Sequence, residues 1–269
     1  MTPYVPEIAA RAKISKELLG QASMLHCCMH LNSDRVEISL ADATTGQISW
    51  AEAFDIEPRV SGSWEEVLNF IAERNWFEKV FRKCTLTFDT GEYTVVPTAF
   101  FEQGREAQLL QFHTGKEYLQ AEVLSLTEYG AQFVFDIPQG IRALSGHFPN
   151  IRIFPAAWIM ARYAWMQAPA TGSNIFIWQT GNRMDLLFLQ DRKLLLCRND
   201  LVQSAEDILY HAANAAMRLG VDFENTPLFL YSLKDDSTTR NVFASYCKEL
   251  KPVHEGAVSI ITKMQISCV

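Results

Sequence analysis

Two groups of residues in this sequence have the types and the spacing to do chemistry. The first is the run from His26 to His30, in which His26, Cys28 and His30 alternate. Alternate side chains lie on one face of a β-strand, so these three could bind a soft metal ion. The same alternation is typical of a buried strand, and no CxxC pair accompanies it. We therefore interpret the run as a core strand and predict no metal site.

The second group consists of Asp34, Gly181 and Asp185, which fall in two predicted hairpin turns. In a turn of the DxG type, the glycine lets backbone N–H groups approach a phosphate. The aspartate positions a water bound to Mg²⁺, an ion that requires hard oxygen ligands. These three residues are therefore the candidates for binding ATP with magnesium.

The composition is that of an ordinary globular protein with its own core. Of the 269 residues, 48% are hydrophobic and 20% are charged. The net charge of -7 argues against a broad nucleic-acid surface. The six cysteines lack the spacing of a disulfide framework, and no apolar stretch is long enough to span a membrane. We expect reduced thiols and a cytoplasmic location.

The pattern of the first half predicts three strands, a helix and a further strand. The strands are predicted at Met24 to Leu31, Arg35 to Ala41 and Gln47 to Phe54. A capping box, Ser63 to Glu66, opens the helix, and Cys84 to Asp89 is the fourth strand. Two additional strands are predicted further on, at Tyr118 to Leu126 and Ala131 to Ile137, and they form a β-rich insertion. A short connecting element, Val95 to Pro97, precedes them.

The second half repeats this order after a helix between Pro155 and Pro169. Ser204 is a predicted N-cap and Gly220 a predicted C-terminal stop for the helix that follows the three strands. A final helix opens at Asp236. The remaining predicted elements are all strands: Asn174 to Thr180, Met184 to Leu189, Lys193 to Cys197, Leu228 to Tyr231 and Val258 to Ile266.

Residues 193–231 resemble an uncharacterised Bacteroidetes family of unknown function. In that family, a strand of the form LxLxN is followed by a helix that begins with aspartate and contains tyrosine, then by an LGLD motif and a short strand. The matching runs in this sequence are, in the same order, KLLLCRND, EDILYH, RLGVD and LFLY. His211 and Ser232 depart from the pattern, where tyrosine and glycine are common. The resemblance implies an α/β, duplicated actin-like ATPase (ribonuclease H-like) fold. It would comprise two βββαβα halves, with lobes at 1–154 and 155–269 and the insertion in the first.

Measured against that fold, the nucleotide signals are incomplete. The turn at 31–36 has no glycine, and Gln179 stands where the second turn should begin with an acid. Residues 232–236, where a glycine-rich turn next to the adenosine is expected, also lack glycine. The three departures together predict a degenerate nucleotide cleft and no cofactor, with ATP and magnesium as the alternative.

These observations predict a non-catalytic binding or scaffold protein in the cytoplasm. We expect an unidentified protein partner, no nucleic acid, no membrane, and a monomer or homodimer. One alternative is a divergent actin-like ATPase or kinase that uses Asp34, Gly181 and Asp185. Another is a self-assembling structural protein.

Overall fold

A computed structural model describes most of the chain: residues 14–32, 35–55, 79–146, 148, 150–232, 237–253 and 260–269. The chain divides into two compact units. Unit 1 consists of Met1–Asp89, Ile137–Ile159 and Glu255–Val269, and unit 2 of Thr90–Asp136 and Met160–His254.

Unit 1 contains a five-stranded sheet in the order β3-β2-β1-β4-β8. The strands are β1 (Leu25–Leu31), β2 (Arg35–Asp42), β3 (Ile48–Asp55), β4 (Lys83–Phe88) and β8 (Ile151–Pro155). Strands β1 to β3 form the predicted antiparallel meander, whereas β4 and β8 run parallel to β1. Every residue of β1 is buried, because a central strand is covered on both faces.

Unit 2 contains a second five-stranded sheet in the order β11-β10-β9-β12-β13. Its strands are β9 (Ser173–Thr180), β10 (Arg183–Gln190), β11 (Lys193–Leu201), β12 (Leu228–Ser232) and β13 (Leu250–Val253). The first three are again antiparallel, and the last two run parallel to β9. The predicted duplication of topology is therefore confirmed.

A smaller sheet interrupts the chain between β4 and β8. It consists of β5 (Tyr93–Pro97), β6 (Glu122–Leu126) and β7 (Ala131–Phe135), all antiparallel in the order β5-β7-β6. We call Thr90–Asp136 the inserted segment. Two of its strands were predicted, and the third, β5, is the element predicted only as a connection. Although it interrupts the first half in sequence, the inserted segment clusters with unit 2.

The described residues also form seven α-helices. They are α1 (Lys16–Gly20), α2 (Glu106–Thr114), α3 (Gln139–Ser145), α4 (Ala156–Gln167), α5 (Ala205–Leu219), α6 (Ser237–Ala244) and α7 (Ile260–Cys268). Helix α5 begins and ends as predicted, with the Ser204 side chain accepting a hydrogen bond from the Asp207 N–H and Gly220 at a φ of +68°. None of these helices is long and apolar enough to cross a membrane.

The prediction of a last strand at Val258 to Ile266 is wrong, because the described part of this range, from Ile260 onwards, lies in helix α7. The apolar, β-branched run indicated a strand, but its buried residues recur with the helical period. They are Ile260, Ile261, Thr262, Met264, Gln265 and Cys268. The outermost parallel strand of the second sheet is instead β13, which the sequence analysis did not predict. The helix predicted after Ser63 lies outside the described residues.

Candidate functional site

The alternating face of β1 is a buried polar ladder. His26 Nε2 lies 2.9 Å from Thr85 Oγ1, and His30 Nδ1 lies 3.0 Å from Thr87 Oγ1, so each histidine is hydrogen-bonded to a threonine of β4. Gln265 of α7 donates to the carbonyl oxygen of Met29 at 2.8 Å and also to Thr87 Oγ1. The ladder therefore joins two strands and a helix of unit 1.

Thr87 lies at the centre of these contacts. Its hydroxyl lies 3.2 Å from the Met29 carbonyl oxygen, to which it can donate, and its oxygen accepts from Gln265 Nε2. The direction of its hydrogen bond with His30 depends on which ring nitrogen of His30 carries the proton. Burial, followed by the charge of Arg35, lowers the pKa of His30 to about 3, and burial followed by the charge of Lys83 lowers the pKa of His26 to about 4.

Both histidines are therefore neutral near pH 7. His30 Nε2 lies 3.8 Å from Asp89 Oδ2, but with a neutral ring this contact is not a pair of full charges. The histidines and Cys28 share the buried polar side of β1, where the contacts above are made to threonine and glutamine. Within the described ranges, no three His, Cys, Asp or Glu side chains are placed to hold a metal ion together.

Next to this ladder, the end of the unit 1 sheet carries a buried ion pair. Arg35 Nη2 lies 2.7 Å from Glu37 Oε1, and both side chains are 7% exposed. Asp34, the first of the three candidate nucleotide residues, immediately precedes Arg35 but lies outside the described residues. The part of this edge that is described is thus charged and buried.

Unit 2 has a pocket at the corresponding edge of its own sheet. The pocket has a volume of about 390 Å³ and is formed by the β9–β10 turn, the β11–α5 connection and the start of α5. Its described lining residues are Gln179, Gly181, Asn182, Leu201, Val202, Gln203, Ser204, Ala205 and Ile208. None of these lining side chains carries a charge.

Gly181 lies in this pocket because the β9–β10 hairpin has a two-residue loop. Thr180 pairs with Arg183 across the ladder, which leaves Gly181 and Asn182 to make the turn. Gly181 has a φ of +54°, a conformation that glycine adopts without the strain of a side chain. The positive φ angle of the turn therefore explains why position 181 is a glycine.

The N-terminus of α5 also faces the pocket. Side chains at the start of the helix already accept hydrogen bonds from two of the backbone N–H groups there. Ser204 Oγ accepts from the Asp207 N–H at 3.2 Å, and the Asp207 carboxylate accepts from the Gln203 N–H at 2.9 Å. Glu206 and Asp207 both lie in the first turn of the helix. Their negative charges interact with the positive end of the helix dipole, which would otherwise attract an anion.

Asp185 lies four residues beyond Gly181 and has a different environment. It is not among the described residues that line the pocket. Its side chain is 8% exposed, and its Oδ1 accepts a hydrogen bond of 2.8 Å from the Tyr93 hydroxyl of β5. Burial raises the pKa of Asp185 to about 7. The structure therefore separates Gly181 from Asp185, and it brings Asp185 to Tyr93, which the sequence analysis did not select.

Two sheets of identical strand order, with a pocket at the first hairpin of the second, define the class: this is an actin-like ATPase fold. A Bacteroides thetaiotaomicron protein described as having an actin-like ATPase fold and unknown function matches with a TM-score of 0.80 at 15% identity, covering 93% of this chain and 98% of that one. The PilM-PilN type IV pilus biogenesis complex matches with a TM-score of 0.52 at 9% identity, over 85% of this chain and 88% of that one.

The particular family follows from the sequence itself. Residues 19–250 match the family described as protein of unknown function (DUF3822), and the chain belongs to that family. No curated protein matches the sequence. The predicted resemblance to a family of unknown function with this fold is confirmed.

Proposed function

We propose that this protein uses the actin-like fold to bind a protein partner and does not hydrolyse nucleotide. The observation that carries the proposal is that none of the described residues lining the unit 2 pocket is charged. A nucleotide with magnesium brings several negative charges, which proteins neutralise with cations, backbone N–H groups and helix N-termini. Side chains such as Gln179, Asn182 and Gln203 suit neutral hydrogen-bonding groups instead.

The start of α5 supports the same proposal. Ser204 and Asp207 already satisfy two backbone N–H groups next to the pocket. A phosphate placed here would also lie near the carboxylates of Glu206 and Asp207. Because all three groups are negatively charged, they would repel one another. An amide-bearing ligand such as a peptide segment meets no such repulsion.

The wider proposal is a cytoplasmic binding or scaffold protein that works as a monomer or homodimer. The net charge of -7 supports a protein partner over a nucleic acid, because a polyanion would be repelled.

Calorimetric titration of ATP and ADP with magnesium into the full chain tests the proposal. We expect no heat of binding and no change in melting temperature at millimolar nucleotide, because a ligand that binds the folded state must stabilise it. A control protein known to bind ATP establishes that the titration detects binding. Micromolar affinity for either nucleotide would overturn the proposal.

The space beside Gly181 favours one alternative, a divergent actin-like ATPase or kinase. A pocket of about 390 Å³ remains next to a positive-φ glycine and a helix N-terminus, which together are the geometry of a phosphate site. Magnesium-dependent phosphate release would support this alternative. The release should disappear in Asp185→Ala and in a second variant, Gly181→Val, that fills the turn without touching the buried Asp185.

A further inference from the structure

A buried carboxyl group lies where the inserted segment meets the second sheet. Tyr93 of β5 is 1% exposed and Asp185 of β10 is 8% exposed, and their hydrogen bond is 2.8 Å long. The Tyr93 ring is stacked on Phe133 of β7, with the ring centroids 4.7 Å apart. Tyr93 is thus fixed within the small sheet, and its hydroxyl reaches the carboxyl of the larger one.

A second contact lies beside the first. Asn199 of β11 donates to the carbonyl oxygen of Gly91 at 3.0 Å. The Arg183 guanidinium packs against Gly91 so closely that a side chain at this position would collide with it. Asn199 lies opposite Asp185 in the β10–β11 ladder, so the two contacts are neighbours. The edge of the inserted segment is therefore held by a small polar cluster.

The charged and titratable groups that face Asp185 come from its own strand, β10, and from β5 and β11. Tyr93 of β5 donates to it, Arg183 of β10 attracts its negative charge, and Asp200 of β11 repels it. Cys197 of β11 is close to both Asp185 and Tyr93, and burial raises its pKa to about 12. Burial also raises the pKa of Tyr93 well above its usual value. Among these groups, Asp185 is the one whose charge changes near neutral pH.

We propose that Asp185 and Tyr93 form a proton-sensitive latch that holds the inserted segment on the second sheet. With Asp185 protonated, the carboxyl is neutral and its burial under Tyr93 costs little. With Asp185 ionised, the docked state buries a negative charge. The docked state is then less stable relative to the open state, in which water surrounds the carboxylate. The latch does not depend on what the unit 2 pocket binds.

The sign of the pH dependence follows from the two states of the contact. When the inserted segment is docked, the pKa of Asp185 is raised to about 7, whereas an exposed aspartate titrates near its ordinary value of 3.8. Between these values the docked state holds a proton that the open state has released. Docking is therefore strongest in acid, weakens as the pH rises towards 7, and levels off above it.

Hydrogen exchange on the full chain tests the latch. Protection factors of the β5 and β7 amides, corrected for intrinsic exchange, should fall about tenfold between about pH 6 and about pH 8, with most of the fall below pH 7. In Asp185→Asn the amide oxygen still accepts from Tyr93 but does not ionise. The same amides should then show no fall over this range.

A second variant and an internal control keep the test decisive. Tyr93→Phe removes a hydrogen bond that lowers the pKa of Asp185, so the fall should move to higher pH. Amides of β9 and β12, in the centre of the larger sheet, should not follow the change. Flat wild-type protection, an unchanged slope in Asp185→Asn, or an equal fall in β9 and β12 would each overturn the latch.

Discussion

The two five-stranded sheets have the same strand order but bury different chemistry. The face of the second sheet beneath α5 is apolar, and its cluster includes Ile175, Ile177, Met184, Leu186, Phe188, Ile208 and Ala212. The β1 face of the first sheet instead carries the ladder of His26, His30, Thr85 and Thr87, bonded to α7 through Gln265. One topology therefore accepts two kinds of interior.

The difference shows what a conspicuous cluster of chemistry-bearing residues can mean. In the first sheet, histidine and threonine side chains are buried because each finds a hydrogen-bond partner on the neighbouring strand. A buried polar group without a partner costs about 1 to 3 kcal/mol, so each hydrogen bond of the ladder contributes to its stability. The face of the second sheet beneath α5 needs no such set, since dispersion and the hydrophobic effect hold it together.

Leu186→Ala should produce the largest change, because it empties the centre of the apolar cluster. Leu186 is fully buried, and deleting a buried leucine side chain costs about 2 to 5 kcal/mol, including the cavity that it leaves. Urea unfolding followed by tryptophan fluorescence measures the loss. The exposed Leu195 on β11 provides the control, since Leu195→Ala should cost far less.

An equal loss for Leu186→Ala and Leu195→Ala would contradict the comparison. It would mean that the second sheet is not held by its buried apolar cluster.

Thr87→Val, in the polar ladder, should produce the next largest loss of unfolding free energy. Valine has nearly the shape of threonine, but His30 and Gln265 lose the hydroxyl group to which they are hydrogen-bonded. Leaving buried donors unsatisfied should cost about 1 to 3 kcal/mol. Urea unfolding measures this loss, and Thr87→Ser, which keeps the hydroxyl, is the matched control.

A neutral or stabilising Thr87→Val would show that the ladder is only tolerated. The first sheet would then be held, like the second, by its apolar residues.

Much of the fold could be predicted from the sequence because its signals are local. The strand predicted at Arg35 to Ala41, the N-cap Ser204 and the stop at Gly220 each depend on signals within a few residues, and all three are confirmed. Helix α7 was predicted wrongly because a short β-branched run has no local feature that separates a strand from a buried helix. Only its packing against the ladder decides, and that contact spans more than two hundred residues.

The candidate site was less predictable for the same reason. Gly181 was identified because a hairpin turn leaves a local signature, and it lines the pocket. The partner of Asp185 was missed because Tyr93 is 92 residues away and belongs to a strand predicted only as a connection. No spacing rule links two such positions. Their contact becomes visible only once the inserted segment is placed with unit 2.

The smallest expected effect, and a direct comparison of the two units, comes from acid. The pKa of His30 is lowered to about 3 in the folded state, from an ordinary value of 6.5. Stability from this group is complete above pH 6.5 and is lost as the pH falls towards 3, because the unfolded chain takes up a proton that the folded chain does not. The latch at Asp185 has the opposite sign, since docking strengthens as the pH falls.

His30→Gln isolates the contribution of unit 1. Glutamine can still donate to Thr87 but does not titrate, and the Asp185 contribution is common to both proteins. On going from about pH 7.5 to about pH 6, the wild type should therefore lose about 1 kcal/mol of unfolding free energy more than the variant. Urea unfolding of both proteins at the two pH values measures this difference. If the two proteins lose the same amount, the pKa of His30 is not lowered by folding, and the ladder would have to accommodate the charge of a His30 that takes up a proton near pH 6.5.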